Sequence, residues 1–215
     1  MKVLAVSVGR PQEVRWRGRS VQTSIFKTPI PHRVNVVHDN VEGDEQSDLS
    51  VHGGPEKAVY AYPMEHYNFW RRELPGAELP WGAFGENFTT EGLLEGDVWI
   101  GDRYRIGTTE LVVTQPRMPC YKLAIRFGQP DVVRSFLEGR RSGFYLAVVR
   151  EGDVGAGDAI ERLGRSETRL TVEDVVSLYA TDSENQTLLA NASDHSSLPV
   201  AWREYFRKRL WAPDA

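Results

Sequence analysis

The chain has 215 residues and a mass of 24.3 kDa, 40% of it hydrophobic and 26% charged, a globular composition long enough for one sizeable core and an appendage. A formal net charge of −4 argues against nucleic-acid binding, which normally needs a clustered basic face, and a single cysteine rules out an internal disulfide and argues against a cysteine-rich zinc site. No apolar run approaches the roughly 18 residues of a membrane span, and Met1–Val8 is too short an apolar run for a signal peptide, so a soluble, cytoplasmic protein with no membrane partner is expected.

Short runs with β character, punctuated by glycine, dominate the first three quarters: Val3–Val8, Arg33–Val37, Val98–Ile100, Arg103–Ile106, Leu111–Thr114 and Phe144–Val149, with Ile160–Leu163 as a closing strand that ends at Gly164. Gly-Asp pairs recur between them, glycine supplying positive φ and aspartate capping its own turn. The pattern predicts a β-barrel or sandwich with two helical insertions, Met64–Leu74 and about 130–137, the second with Val132, Val133 and Phe136 on one face. Beyond Leu163 the period changes. Thr171-Val172-Glu173-Asp174 reads as a capping box, followed by the stripe Val172, Val175, Val176 and Tyr179; further helices are expected around Leu188–Ala192 and from Pro199. The reading is therefore a mainly β domain over 1–165 and a three-helix extension over 166–215. Three short helices bury little alone, so they should pack on the barrel or on a second subunit of a homodimer.

Charge is distributed unevenly. Residues 40–56 hold five acidic residues and no Lys or Arg, whereas 115–141 hold six cations against Asp131 and Glu138. The one cysteine lies in that basic stretch, in Gln115-Pro116-Arg117-Met118-Pro119-Cys120-Tyr121-Lys122-Leu123. Pro116 and Pro119 remove two backbone donors, which predicts a rigid turn leaving the strand Leu111–Thr114. Arg117 and Lys122 favour the thiolate, the form that attacks electrophiles and binds soft metals, so Cys120 reads as a metal ligand or nucleophile rather than a small buried hydrophobe.

Two loops are the other candidates. His52-Gly53-Gly54, with Lys57 five residues after the histidine, sets an imidazole before two residues without Cβ, which suits close approach of backbone to an anionic group; the alternative is a plain turn before a strand. Phe84-Gly85-Glu86-Asn87-Phe88 sets a carboxylate and an amide between aromatics, able to read a heterocycle or to cap backbone at a rim. Gly152–Gly157 is not a phosphate loop, because no helix follows it. His66 lacks the second histidine of a zinc helix, and His32, His38 and His195 have no partner pattern.

These segments, with Thr23–Ile30, Gly43–Pro63, Ile100–Gly107 and Gly152–Leu163 in the same order, resemble the MOSC domain, named for the C-terminal domain of molybdenum cofactor sulfurases. More closely they are similar to its stand-alone bacterial branch, associated with resistance to hydroxylaminopurine. The resemblance implies a β-barrel with a three-helix extension that binds the molybdenum–pterin cofactor (molybdopterin). Cys120 would be the metal ligand; His52, Gly53, Gly54, Lys57, Asn87, Arg117 and Lys122 would line the pocket, and Arg140 is a phosphate contact on charge alone. His52 or Glu86 would supply protons. The implied reaction is two-electron reduction of a small N-hydroxylated substrate to the amine. The alternative is a cofactor or sulfur carrier without turnover. With no haem-attachment pair and no dinucleotide fingerprint in the chain, electrons would come from an external flavin-type reductase. The His52–Lys57 loop, Asn87 and Cys120 are expected to meet in one cleft at the barrel rim.

Overall fold

A computed structural model describes residues 1–47, 53–180 and 185–211. The strands are β1 (Lys2–Val8), β2 (Gln12–Trp16), β3 (Arg19–Thr23), β4 (Thr28–Pro29), β5 (Val34–Val37), β6 (Asn40–Val41), β7 (Val59–Pro63), β8 (Phe88–Glu91), β9 (Arg103–Ile106), β10 (Thr109–Pro116), β11 (Phe144–Arg150), β12 (Gly152–Val154) and β13 (Ile160–Gly164). Helix α1 (Tyr67–Glu73) follows β7; α2 (Tyr121–Phe127) and α3 (Val132–Glu138) lie between β10 and β11; α4 (Val172–Ala180), α5 (Gln186–Asp194) and α6 (Val200–Trp211) end the described chain. Among the described residues no helix is long and apolar enough to cross a membrane.

Eight strands form one sheet in the order β13-β9-β10-β11-β7-β8-β1-β4, antiparallel throughout except between β7 and β8. The sheet curls until β1 meets the segment entering β13: Val3 N–H donates to the Asp158 carbonyl at 2.9 Å, Gly157 N–H to the Val3 carbonyl at 2.8 Å, and Lys2 bridges Ala159. These contacts do not amount to a continuous ladder, so the expected barrel is a strongly curled sheet that stops short of closure. The mainly β fold with helical insertions is as expected.

Strand β7 explains how the molecule holds two cores. All five of its residues are buried. With side chains alternating between faces, Val59 and Ala61 join the aliphatic core inside the curl, while Tyr60 and Tyr62 join an aromatic core formed with Trp70 of α1, Phe84, Leu123 of α2 and Phe136 of α3. The helical tail belongs to the first of these: Val172, Val175 and Leu178 of α4, Leu189 and Ala192 of α5 and Phe206 of α6 pack with the sheet residues Val3, Tyr104 and Val113 in one cluster. Trp202 Nε1 also donates to Gln115 Oε1 of β10 at 2.9 Å. The tail thus packs on the sheet, one of the two sequence-based alternatives.

The capping box is present, Asp174 N–H donating to Thr171 Oγ1 and Thr171 N–H to Asp174 Oδ2, both at 2.9 Å. Tyr179 departs from its expected buried stripe. It is 43% exposed in the last turn of α4, where its ring meets Trp202 and Tyr205 of α6. The expected strand Val98–Ile100 is not one. Val98 N–H turns back to the Leu94 carbonyl and Trp99 N–H to Asp102, and the bonds of Ile100 N–H and the Val98 carbonyl go to Leu170 and Val172, which turn into α4 after a single bridge at Trp99–Thr171. Strand β10 runs two residues further than expected, through Pro116. On one side it pairs with Tyr145 and Phe144 of β11, while the β9 ladder on its other side stops at Val112, so the missing N–H of Pro116 interrupts no bond there. The hairpin β2–β3, with Arg17 and Gly18 at φ 49° and 79° in its two-residue turn, was not anticipated from the sequence.

Candidate functional site

Where β3, β7, β8, β10 and β11 present their ends and connections, a cleft of about 690 Å³ opens. Its lining includes Gly53, Lys57, Asn87, Arg117, Cys120 and Lys122, so six of the sequence-predicted residues come together although 69 positions separate the first and last. The fold makes this possible because β7, which follows Lys57, β8, which follows Asn87, and β10, which precedes Arg117, are held in one sheet by β11.

Cys120 caps the start of α2 in extended backbone (φ −126°, ψ 171°) and is half-buried. Three residues earlier the chain has left β10 through Pro116 and Arg117, whose N–H still reaches the Gly143 carbonyl at 3.3 Å. Arg117 is 6% exposed. Its guanidinium lies 5.6 Å from the Tyr60 ring centroid and 5.1 Å from that of Phe136, a cation seated on the aromatic core. Burial works against its charge, but the phenols of Tyr60 and Tyr145 and the Cys120 thiol more than offset that and raise its pKa. Among the described residues Nη1 of Arg117 has no hydrogen-bond partner. A buried donor left open costs on the order of 1–3 kcal/mol, so this atom is a vacancy for an acceptor. Lys122 is also buried, its Nζ donating to Ser47 Oγ at 2.8 Å.

Gly53 and Gly54 take φ 119° and 86°, the backbone that residues without Cβ adopt at no steric cost. Gly54 starts the short 3-10 turn Pro55–Lys57 rather than lining the cleft, and that turn delivers Lys57 to it. His52 lies outside the described residues. Asn87 lines the wall, but its amide is engaged: Oδ1 accepts from Tyr60 N–H at 3.0 Å, and Nδ2 donates to Asp44 Oδ2 at 3.0 Å and to the Ser7 carbonyl at 3.4 Å. It is a staple between β1, β7 and the loop after β6.

Besides Gly54, two predicted residues are not brought to the cleft. Glu86 is fully buried behind it, where its carboxylate accepts from Tyr67 Oη, Gly82 N–H at 2.9 Å, Phe84 N–H at 3.0 Å and Thr89 Oγ1 at 2.9 Å. Burial raises its pKa against those donors. The carboxylate ties the 82–89 segment to α1 and does not face the cleft. Arg140 (φ 51°) lies in a separate groove beside His66 and Glu95, where its Nη1 donates to Ser177 Oγ of α4 at 2.8 Å. The turn after α3 sends it towards the tail.

Sequence reasoning missed Lys27, Asp44, Tyr60 and Tyr145, all in the lining. Lys27 Nζ is ion-paired with Asp44, and their side chains are 9% and 1% exposed. The signal for Lys27 was present, since its segment Thr23–Ile30 was among the family-like stretches. The two tyrosines gave none, because an aromatic residue on a buried strand reads as core.

Among the described residues no group of three or more His, Cys, Asp or Glu is placed to hold a metal ion. A bare ion has no ligand set here, whereas a metal that arrives with its own dithiolene ligand needs only one soft protein donor, which Cys120 is. The open Nη1 of Arg117 and the cations Lys57 and Lys122 suit the oxyanions such a ligand carries. The residues present therefore fit a molybdenum–pterin cofactor.

Comparison with known proteins places the chain in context. A model of the MOSC domain matches residues 48–161. The chain is 39% identical over 207 residues to YflK of Bacillus subtilis, covering 96% of this chain and 93% of that one. Its structure resembles the crystal structure of YiiM from Geobacillus stearothermophilus, with TM-score 0.82, 34% identity and coverage of 97% and 98%. It is also 33% identical over 179 residues to a protein of Gibberella moniliformis named "Reductase", covering 82% of this chain and 32% of that protein.

Proposed function

Because the chain belongs to the MOSC domain family, which is associated with binding of the molybdenum cofactor, we propose that it is a molybdenum-cofactor-dependent reductase of N-hydroxylated bases and related compounds, 6-hydroxylaminopurine to adenine being the type reaction. The observation that carries this reading is the pairing, in one cleft, of the chain's only thiol with a buried guanidinium whose Nη1 is open. Similarity to a protein named "Reductase" supports the reductive direction.

When bound, the cofactor supplies the two-electron chemistry that cleavage of an N–O bond requires. The chain's own residues do the rest. Cys120 offers the soft donor that holds the metal. Arg117, fixed between Tyr60 and Phe136, presents a charge that cannot be lost by deprotonation, while Lys57 and Lys122 add further cations for oxyanions. The aromatic lining from Tyr60, Phe84 and Tyr145 gives a planar base a surface to stack on and narrows the space left for water. Electrons come from a flavin-type reductase partner.

The test is protein produced in a cofactor-competent host, analysed for molybdenum and assayed with a chemical reductant and 6-hydroxylaminopurine. Wild type is expected to carry the metal and form adenine over many turnovers. Cys120→Ser, which replaces a soft, ionisable donor with a hard hydroxyl, is expected to lose both metal and turnover while remaining folded. Cofactor binding through Cys120 without turnover on any N-hydroxylated substrate would make the protein a carrier instead.

A further inference from the structure

Lys27 is a nearly buried cation in the cleft wall with no part in the reading so far. Its partner Asp44 is held from other sides as well, by Gly9 N–H at Oδ1 (2.8 Å) and Asn87 Nδ2 at Oδ2 (3.0 Å). The lysine stem passes close over Gly9, where an added Cβ would stand 3.1 Å from Lys27 Cγ and 2.9 Å from the Ser24 carbonyl oxygen, so the backbone there is fitted to the stem. An ammonium carries three protons, and among the described residues Asp44 is the acceptor that Nζ has. The remaining donors stay available to a ligand in the cleft that Lys27 lines.

Resting on the reductase reading above, we infer that Lys27 is the catalytic proton donor of the cleft, with Asp44 and Asn87 as its positioning residues. In the net reaction R–NH–OH takes up two electrons from the reductase partner and two protons. The N–O bond breaks, the hydroxyl oxygen leaves as water and the nitrogen remains as the amine. Lys27 gives one proton to the departing hydroxyl oxygen and is recharged from solvent, and the second proton, taken up by the nitrogen, comes from solvent.

The surroundings favour that role. Burial disfavours the charged form of Lys27 and lowers its pKa, while Asp44 and, at longer range, Glu86 oppose this without reversing it. Glu45 lines the cleft from the Asp44 loop, and Lys57, Arg117, Cys120 and Lys122 from the other elements. A lysine with a lowered pKa gives up its proton more readily than an exposed one. Arg117 cannot serve, because guanidinium does not deprotonate, and Glu86 faces away from the cleft.

The test uses cofactor-loaded full-length wild type, Lys27→Arg, and the neutral double variant Lys27→Met/Asp44→Asn, which leaves no uncompensated carboxylate if the single change perturbs folding. Metal and pterin content, kcat and KM across pH are measured, and Lys27 is titrated by NMR with labelled lysine in cofactor-free protein. Arginine keeps the charge but is far too weak an acid to give up its proton. Lys27→Arg is therefore expected to retain cofactor content and KM within about twofold while kcat falls about 10²-fold, a loss typical of removing a general acid, and the double variant to fall alike. The Lys27 titration is expected below 10.5. Unchanged kcat in Lys27→Arg, loss of cofactor in step with activity, or a titration at or above 10.5 would each overturn the assignment. Wild-type protein that carries cofactor but reduces no N-hydroxylated compound would defeat the reductase reading itself and this inference with it.

Discussion

Replacing Phe136 by leucine tests whether the aromatic core extends its influence into the cleft. The ring is 1% exposed, stacks on Trp70 at 5.5 Å and 17° and on Tyr62 at 6.1 Å and 21°, and carries the Arg117 guanidinium 5.1 Å from its centroid. Leucine keeps much of the apolar volume, so transfer and cavity effects cost about 1 kcal/mol. Lost ring stacking adds roughly 1 kcal/mol, and the lost desolvated cation–π contact roughly 1–2 kcal/mol. The sum, about 3–4 kcal/mol, is a large fraction of the stability of a domain this size. Urea denaturation of cofactor-free protein measures it, and a double-mutant cycle with Arg117→Met separates its parts. Arg117→Met alone is expected to be neutral or stabilising, since it removes a buried cation with an open donor. In that background Phe136→Leu should cost only about 2 kcal/mol, a coupling of about 1–2 kcal/mol. Additivity of the two changes within about 0.5 kcal/mol would show that the guanidinium gains nothing from the ring, and the account of how Arg117 is held would be wrong.

Glu86→Gln should change the pH dependence of stability. Burial raises the Glu86 pKa above its ordinary 4.5, so the folded protein binds that proton more tightly than the unfolded chain; the resulting stability is fully present below 4.5 and is lost as pH rises through the folded-state value. The difference in unfolding free energy between wild type and Glu86→Gln should therefore shift against wild type as pH rises from 4.5, and a difference independent of pH would contradict it. Thr171→Ala removes one half of the reciprocal cap at the start of α4 and should cost about 1 kcal/mol in the same denaturation assay; no loss would mean that tertiary packing alone holds that helix end.

The parts of the fold that could be read from sequence were those whose pattern is local. Strand β9 alternates between outward and buried residues, β1 and β11 show as short apolar runs beside glycine, and α4 advertises itself through Thr171, Asp174 and its valine stripe. Strand β7 was legible only as whatever followed the His-Gly-Gly turn, because both of its faces are buried and Val-Tyr-Ala-Tyr carries no alternation. Helix α2 went unseen despite Gly128 in the left-handed conformation at its C-terminal end, since seven residues are too few for a period to declare itself. For the site, the thiol and its cationic neighbours could be found from chemistry, and Gly53 and Lys57 from a loop signature. Glu86 and Arg140 were misplaced for a common reason: charge and motif say that a residue matters, but only the direction of the backbone says which cavity it serves. Lys27 and Asp44, 17 residues apart, meet only through the return of β4 along β1.

The strand order also sets a schedule for biosynthesis. Strand β1 pairs early with the short β4 but meets its longer ladder partner only at Phe88, and the free edge of β7 waits for β11, which begins at Phe144. Closing loops of that size before any long-range contact is made is slow. The cleft draws its walls from residues 23 to 145, so it cannot exist while the ribosome is still making β11. Until then β7 offers an unpaired edge to other nascent chains, and the thiol of Cys120 stands outside the environment that later surrounds it. A ligand of the cleft can stabilise only chains in which β11 has docked, and its uptake thereby sorts completed molecules from stalled ones.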